Sequence, residues 1–167
     1  MHALVFVLHN TSETTREIIE AEDVQREVPF SEYVGEYELE ASHFTQLSTQ
    51  IEAALGKDNV DIDHGSRRVT IRKPGIYQYF DNLRARIFKT AQLAMDKPIE
   101  DFIRLRGETD WYAIKTTIDD KFEDQFYLNG YGCGSTTIFA HNLYVQMGYQ
   151  MTDTLTLELS QIFDFHY

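Results

Sequence analysis

The apolar run ALVFVLHN at residues 3–10 is rich in β-branched and bulky side chains and gives way to polar ones, a pattern that predicts a buried strand. Segment 11–28, TSETTREIIEAEDVQREV, fits two descriptions. Thr11 or Ser12 caps a short helix whose first turn holds Glu13 and Glu17, with Glu13, Glu17 and Glu20 on one stripe, or the whole segment is an acidic connection. Pro29 ends either arrangement. YVGEYELEA then alternates. Tyr33, Tyr37 and Leu39 fall on one face and Glu36, Glu38 and Glu40 on the other, as in a half-exposed strand with an acidic outer side.

Two helices follow from the 3–4 spacing of apolar residues. In SHFTQLSTQIEAALG, Ser42 is the expected cap, Phe44, Leu47, Ile51 and Leu55 make the stripe, and Gly56 closes a helix over 42–56. Pro74 opens a second over 75–96, with Tyr79 or Phe80, Leu83, Ile87, Phe88 and Leu93 as its apolar positions. Between them, NVDIDHGSRRVTIRK reads as a hairpin in which Val60 and Ile62 face Val69 and Ile71 around DHGS. Pro98 begins a short helix that Gly107 stops. WYAIKTTID and DQFYLNG read as strands, TTIFAHNLYVQMGYQM as a strand first with a short helix over HNLYVQMG as the alternative, and TLTLELSQIFDFHY as a closing strand with Leu155, Leu157 and Leu159 inward. The sum is a single α+β domain over residues 1–167, a mainly antiparallel sheet packed with two principal helices.

Composition agrees with that picture. At 167 residues one core buries roughly 70% of the unfolded surface, so neither disulfide nor metal is required for stability. One cysteine makes no internal disulfide, the N-terminal apolar run is too short for a signal peptide, and no stretch approaches the roughly 20 apolar residues of a membrane span, so a soluble cytoplasmic protein without a membrane partner is expected. Charge adds more. The net value is −12, and it is uneven: residues 1–60 carry 12 acids against 3 bases, 61–107 carry 6 against 10, and 108–167 carry 9 against 2. Such a body repels polyanions and attracts basic partners.

Candidate chemistry is sparse. GYGCGS places Cys133 between glycines, with His141 eight residues on as a base and Asn142 or Asp124 to orient it, the minimum for a thiol nucleophile. The competing description is a bend that needs small residues, and it is the favoured one. Asp61, Asp63 and His64, and separately Asp119, Asp120, Glu123 and Asp124, are metal ligands by type, but the first set sits in turn chemistry and the second lacks the glycine and spacing of a calcium loop. No metal or cofactor is expected. The basic segment 67–89 interleaves Arg67, Arg68, Arg72, Lys73, Arg84, Arg86 and Lys89 with Tyr77, Tyr79 and Phe80, the materials of a single-strand nucleic-acid groove, yet the net charge opposes direct nucleic-acid binding and pairing with the chain's own acids explains the bases better.

The acidic surface is left as the strongest feature. Glutamates at alternate strand positions stand roughly 7 Å apart, near the per-strand phosphate spacing of DNA. The function expected is therefore a non-enzymatic, inhibitor- or immunity-type protein. It engages a basic, nucleic-acid-handling partner through Glu36, Glu38 and Glu40, with Asp119, Asp120, Glu123 and Asp124 second, by simple attraction or by nucleic-acid mimicry. The alternatives are a small enzyme using Cys133 and His141 and a nucleic-acid-binding module using segment 67–89. The surplus of tyrosine also permits a homodimer.

Overall fold

The computed structural model describes residues 2–14, 18–27, 33–100 and 124–166. Its elements run β1 (His2–Asn10), α1 (Ala21–Glu27), β2 (Tyr33–Tyr37), α2 (Ala41–Leu55), β3 (Val60–Asp63), β4 (Arg68–Arg72), α3 (Lys73–Met95), β5 (Gln125–Leu128), β6 (Gly132–Gly134), α4 (Thr136–Gln150) and β7 (Thr154–His166). The expected strand WYAIKTTID, most of the segment after Pro98, and Asp119, Asp120 and Glu123 lie outside the described residues.

All seven described strands join one mixed, mostly antiparallel sheet in the order β3-β4-β7-β1-β5-β6, with β2 also on β7. The α+β expectation holds, but β7 is the middle of the sheet and not a closing edge. Of its 13 residues, the stretch Leu157 to His166 pairs antiparallel with β1 along one side. The other side is shared: β4 takes Thr154 to Glu158 and β2 takes Ile162 to His166. β1 pairs with β5 in parallel, which is the one departure from antiparallel geometry among these ladders.

Both faces of the sheet are covered, and this explains the unbroken apolar run of β1. Phe6 and Leu8 enter a large core with α2, α3 and α4, whereas Ala3, Val5 and Val7 enter a smaller one with Ile19, Val24, Val34, Phe163 and Phe165 beneath α1. A bulge in β7 keeps its two halves on the correct sides. Val7 faces Gln161 and Leu8 faces Leu159, so Ser160 is the extra residue. Before it Leu155, Leu157 and Leu159 point to the large core; after it Phe163 and Phe165 point to the small one.

The two long helices lie within two residues of their expected bounds, and the hairpin pairs as expected, Val60 with Ile71 and Ile62 with Val69. Three local expectations are corrected. The cap of α2 is Glu40, not Ser42: its carboxylate accepts the His43 backbone N–H while the Glu40 N–H donates to His43 Nδ1 at 3.2 Å, a reciprocal box that starts the helix a residue earlier. Segment 136–150 is helical throughout, because its apolar residues Phe139, Ala140, Leu143 and Met147 follow a 3–4 spacing that outweighs the strand preference of Thr136, Thr137 and Ile138. The helix in the early acidic segment begins only at Ala21. Asn10 organises the turn after β1 by accepting the N–H and hydroxyl of Ser12, and Glu17 of the expected stripe lies outside the described residues.

Candidate functional site: the acidic face of α1 and β2

Within residues 18–27 and 33–40 there are seven acids, Glu20, Glu22, Asp23, Glu27, Glu36, Glu38 and Glu40, and one base, Arg26. All the acids but Asp23 are exposed, and Arg26 is already committed to Asp23 at 3.3 Å. That pair is solvent-exposed and contributes little to stability. The segment folds this way because α1 has a single buried anchor, Val24, assisted by Ile19 just ahead of it, while Val34 on β2 reaches the same small core. Ala21 packs partly against that core, Asp23 is half-buried, and Glu22, Gln25, Arg26 and Glu27 face water.

The face is not flat. A cleft of about 290 Å³ opens beneath α1, lined by Ile18, Ile19, Asp23, Arg26, Glu27 and Tyr127. Asp23 and Glu27 are four apart and so stand on one side of the helix. Ile19 and the Tyr127 ring make the apolar wall. A long cationic side chain entering such a cleft lays its stem on the wall and its charge between the carboxylates.

The glutamates picked out in the sequence are only partly the row that alternation suggested. β2 ends at Tyr37, so Glu36 alone is a strand residue. Its carboxylate accepts Gln161 Nε2 at 3.2 Å, and the same amide nitrogen donates to the Ile19 carbonyl at 3.0 Å, tying β2 to the approach of α1. Glu38 lies in the turn and Glu40 is the cap of α2. A regular 7 Å ladder of three carboxylates along one strand is therefore absent.

Asp124 is not free for a partner. Its Oδ1 accepts the Leu4 N–H at 2.7 Å and its Oδ2 accepts Gln46 Nε2 at 2.7 Å and Gln50 Nε2 at 2.6 Å. It joins α2, β1 and the start of β5.

Cys133 and His141 are not brought together. Tyr127 and Cys133, paired across β5 and β6, pack against the small core beneath α1. His141 is an exposed residue of α4, a helix that packs on the opposite face. The sheet stands between them. Burial pushes the Cys133 thiol up to about 12, with the nearby charge of Glu27 adding to it. The surrounding glycines do make a bend: Gly130 and Gly132 have φ of +76° and +80°. A thiol held this way is expected to react with iodoacetamide only slowly at neutral pH in the folded protein and completely after unfolding in denaturant. Fast labelling of the native chain, read by mass spectrometry, would overturn that assignment.

Many of the remaining candidates have partners within the molecule, while Arg67, Tyr77, Arg86 and Lys89 of the basic segment are exposed. Asp63 accepts the Gly65 N–H at 2.9 Å and the Ser66 hydroxyl at 2.6 Å, bonds that hold its carboxyl below the usual range. His64 stacks edge-on against Phe44, and Asp61 pairs with Arg72. In the basic segment Arg68 pairs with Glu158, Lys73 with Asp153 and Arg84 with Asp81, while Tyr79 is buried with its hydroxyl on Thr137. No group of three or more His, Cys, Asp or Glu among the described residues is arranged to hold a metal ion, and no helix among them is long and apolar enough to cross a membrane.

One polar cluster escaped sequence reasoning. At the carboxyl end of β1, the Glu13 carboxylate accepts Gln146 Nε2 at 2.8 Å and Asn129 Nδ2 at 3.5 Å, and Asn10 Nδ2 donates to Gln150 Oε1 at 3.2 Å. These bonds pin α4 to the ends of β1 and β5. The partners are more than a hundred residues apart in the chain, so no local spacing announces them. No family model, no curated protein and no solved structure matches this chain.

Proposed function

We propose that the protein is a binding protein whose acidic α1–β2 face engages a basic surface of another protein. The observation that carries this reading is the seven-to-one excess of acids over bases on that face, with its single base internally paired. Carboxylates concentrated on one side raise the encounter rate of a cationic partner and fix its orientation. The cleft between Asp23 and Glu27 supplies a place where one lysine or arginine of that partner is held more specifically than on open surface. Proteins that handle nucleic acid carry such basic surfaces, and they are the partner class the charge favours. Without a regular strand ladder of glutamates, the reading rests on attraction and shape and not on imitation of a phosphate backbone.

Binding of a fluorescent oligo-arginine peptide, followed by anisotropy over a salt series, tests the face directly. The wild-type chain is expected to bind with strong salt dependence. Reversing Glu22, Glu27, Glu36 and Glu38 to lysine is expected to weaken binding at least about tenfold. Glu40 is left out because its loss would also uncap α2. Reversal of Glu52, on α2, serves as the control and should change little. Equal losses from both sets would show that the acidic face has no special role.

A further inference from the structure

From Gln125 to Thr152 the chain has no Asp, Glu, Lys or Arg, 28 residues in a protein where a quarter of residues are charged. Most of that stretch is α4, and α4 is not an interior helix. Its inner face buries Phe139, Ala140, Leu143, Gln146 and Met147. Its outer face presents Ile138, 40% exposed, Tyr144, 44%, and Tyr149, 79%, with Met151 at its C-terminal end 94% exposed. Tyr77 of α3, ring to ring with Tyr144 at 6.1 Å, extends the patch. His141 and Gln150 are exposed on the same helix and Lys73 lies over the Tyr144 ring at 6.0 Å, but α4 itself has no Asp, Glu, Lys or Arg. An exposed helix face rich in tyrosine, isoleucine and methionine has the composition of an interface core.

Two backbone features on this face are unfavourable for the isolated chain. Gly148 lies inside the helix, and a Cβ built there meets nothing within 4 Å, so no contact among the described residues requires glycine. Alanine would make a better helix. Three residues later Met151 closes the helix in the left-handed region, φ +50° and ψ +44°, where glycine is the favoured residue. The small residue stands where folding prefers a side chain, and the large one stands where folding prefers none. Both choices suit a surface on which another helix crosses closely over Gly148 while Met151 reaches across.

We propose that this face of α4 pairs with the same face of a second copy of the chain. Charge selects the occupant. Two copies at −12 repel one another wherever their acids meet, and the outer face of α4 brings no Asp or Glu to the contact. A basic partner is drawn instead to α1 and β2, on the other side of the sheet. An isologous pair also needs a patch that complements itself, and apolar side chains with tyrosine hydroxyls do so without opposite charges. Such a dimer turns both acidic faces outward.

Sedimentation velocity of the full chain over a dilution series, with thermal unfolding of each variant, tests the pairing. The wild type is expected to show a reversible dimer that tightens with added salt, opposite to the salt response of the acidic face. Tyr149→Glu, at an exposed position, should raise the dissociation constant at least about tenfold. Gly148→Ala and Met151→Gly should each weaken the dimer while raising the Tm of the dilute monomer by about 2–4 °C. A chain that stays monomeric at every concentration, a species larger than a dimer, a dimer indifferent to all three changes, or a lower monomer Tm in the last two variants would each overturn the proposal.

Discussion

Replacement of Asp124 with alanine is expected to destabilise the protein by about 3 kcal/mol, because hydrogen bonds to a charged acceptor contribute roughly 1.5–3 kcal/mol each and this carboxylate accepts three. The loss goes beyond the bonds themselves. Leu4 N–H lies just before the first residue of β1 that pairs with β5, and Asp124 occupies the place where a backbone carbonyl would continue the parallel ladder. Without it a partly buried donor is left without an acceptor, and the two glutamine amides of α2 lose their anchor. Asparagine separates charge from geometry. It keeps one oxygen for Leu4 but turns an amide NH₂ toward the donors of Gln46 and Gln50, so Asp124→Asn should forfeit most of the same stability. Urea unfolding followed by circular dichroism reads both variants as a lower midpoint with an unchanged slope. A loss under about 1 kcal/mol in the alanine variant would return Asp124 to the surface carboxylates.

That residue also shows what kind of information the sequence lacked. The helices and the hairpin were legible because their causes are local: the stripe of Phe44, Leu47, Ile51 and Leu55, Pro74 at the start of α3, and the turn DHGS all act within a few residues. Asp124 looked like one more acid in a solvated acidic run, since Gln46, Gln50 and Leu4 are 74 to 120 residues away. The same distance hid the Glu13 cluster. Glu36, Glu38 and Glu40 show an intermediate case. Alternation is a sound strand signal, but it does not say where pairing stops, and β2 has a partner in β7 only as far as Tyr37. The cysteine question was answered by topology. Eight residues separate Cys133 from His141 in the chain, yet the passage from β6 into α4 carries the second to the far side of the sheet.

Deletion of Ser160 is expected to leave cooperative folding and both cores intact, although the residue lies in the middle strand of the sheet. Between Leu157 and His166, Ser160 is the one residue of β7 without a partner on β1, and it shifts the in–out alternation by one position. Before it the odd-numbered residues fill the large core; after it Phe163 and Phe165, both fully buried, fill the small one. Removing the extra residue places Gln161 directly after Leu159, opposite Val7 and Leu8, so regular alternation keeps every later residue on the face it already occupies. Phe163 and Phe165 stay in the core beneath α1, and Ile162 stays in the other. β2 has no described strand neighbour other than 162–166 of β7, so it follows those residues. The loss expected is about 1–3 kcal/mol, from the Ser160 hydrogen bond and the refitting of β2 and β4 along one side of β7. Ser160→Ala tests whether the register or the side chain matters. Its hydroxyl donates to the Val7 carbonyl at 3.2 Å, and losing that bond should cost about 1 kcal/mol with the fold retained. A deletion variant that no longer melts in one sharp transition, or that loses more than about 4 kcal/mol, would mean that β7 needs its bulge to seat β4 and β2 along one side.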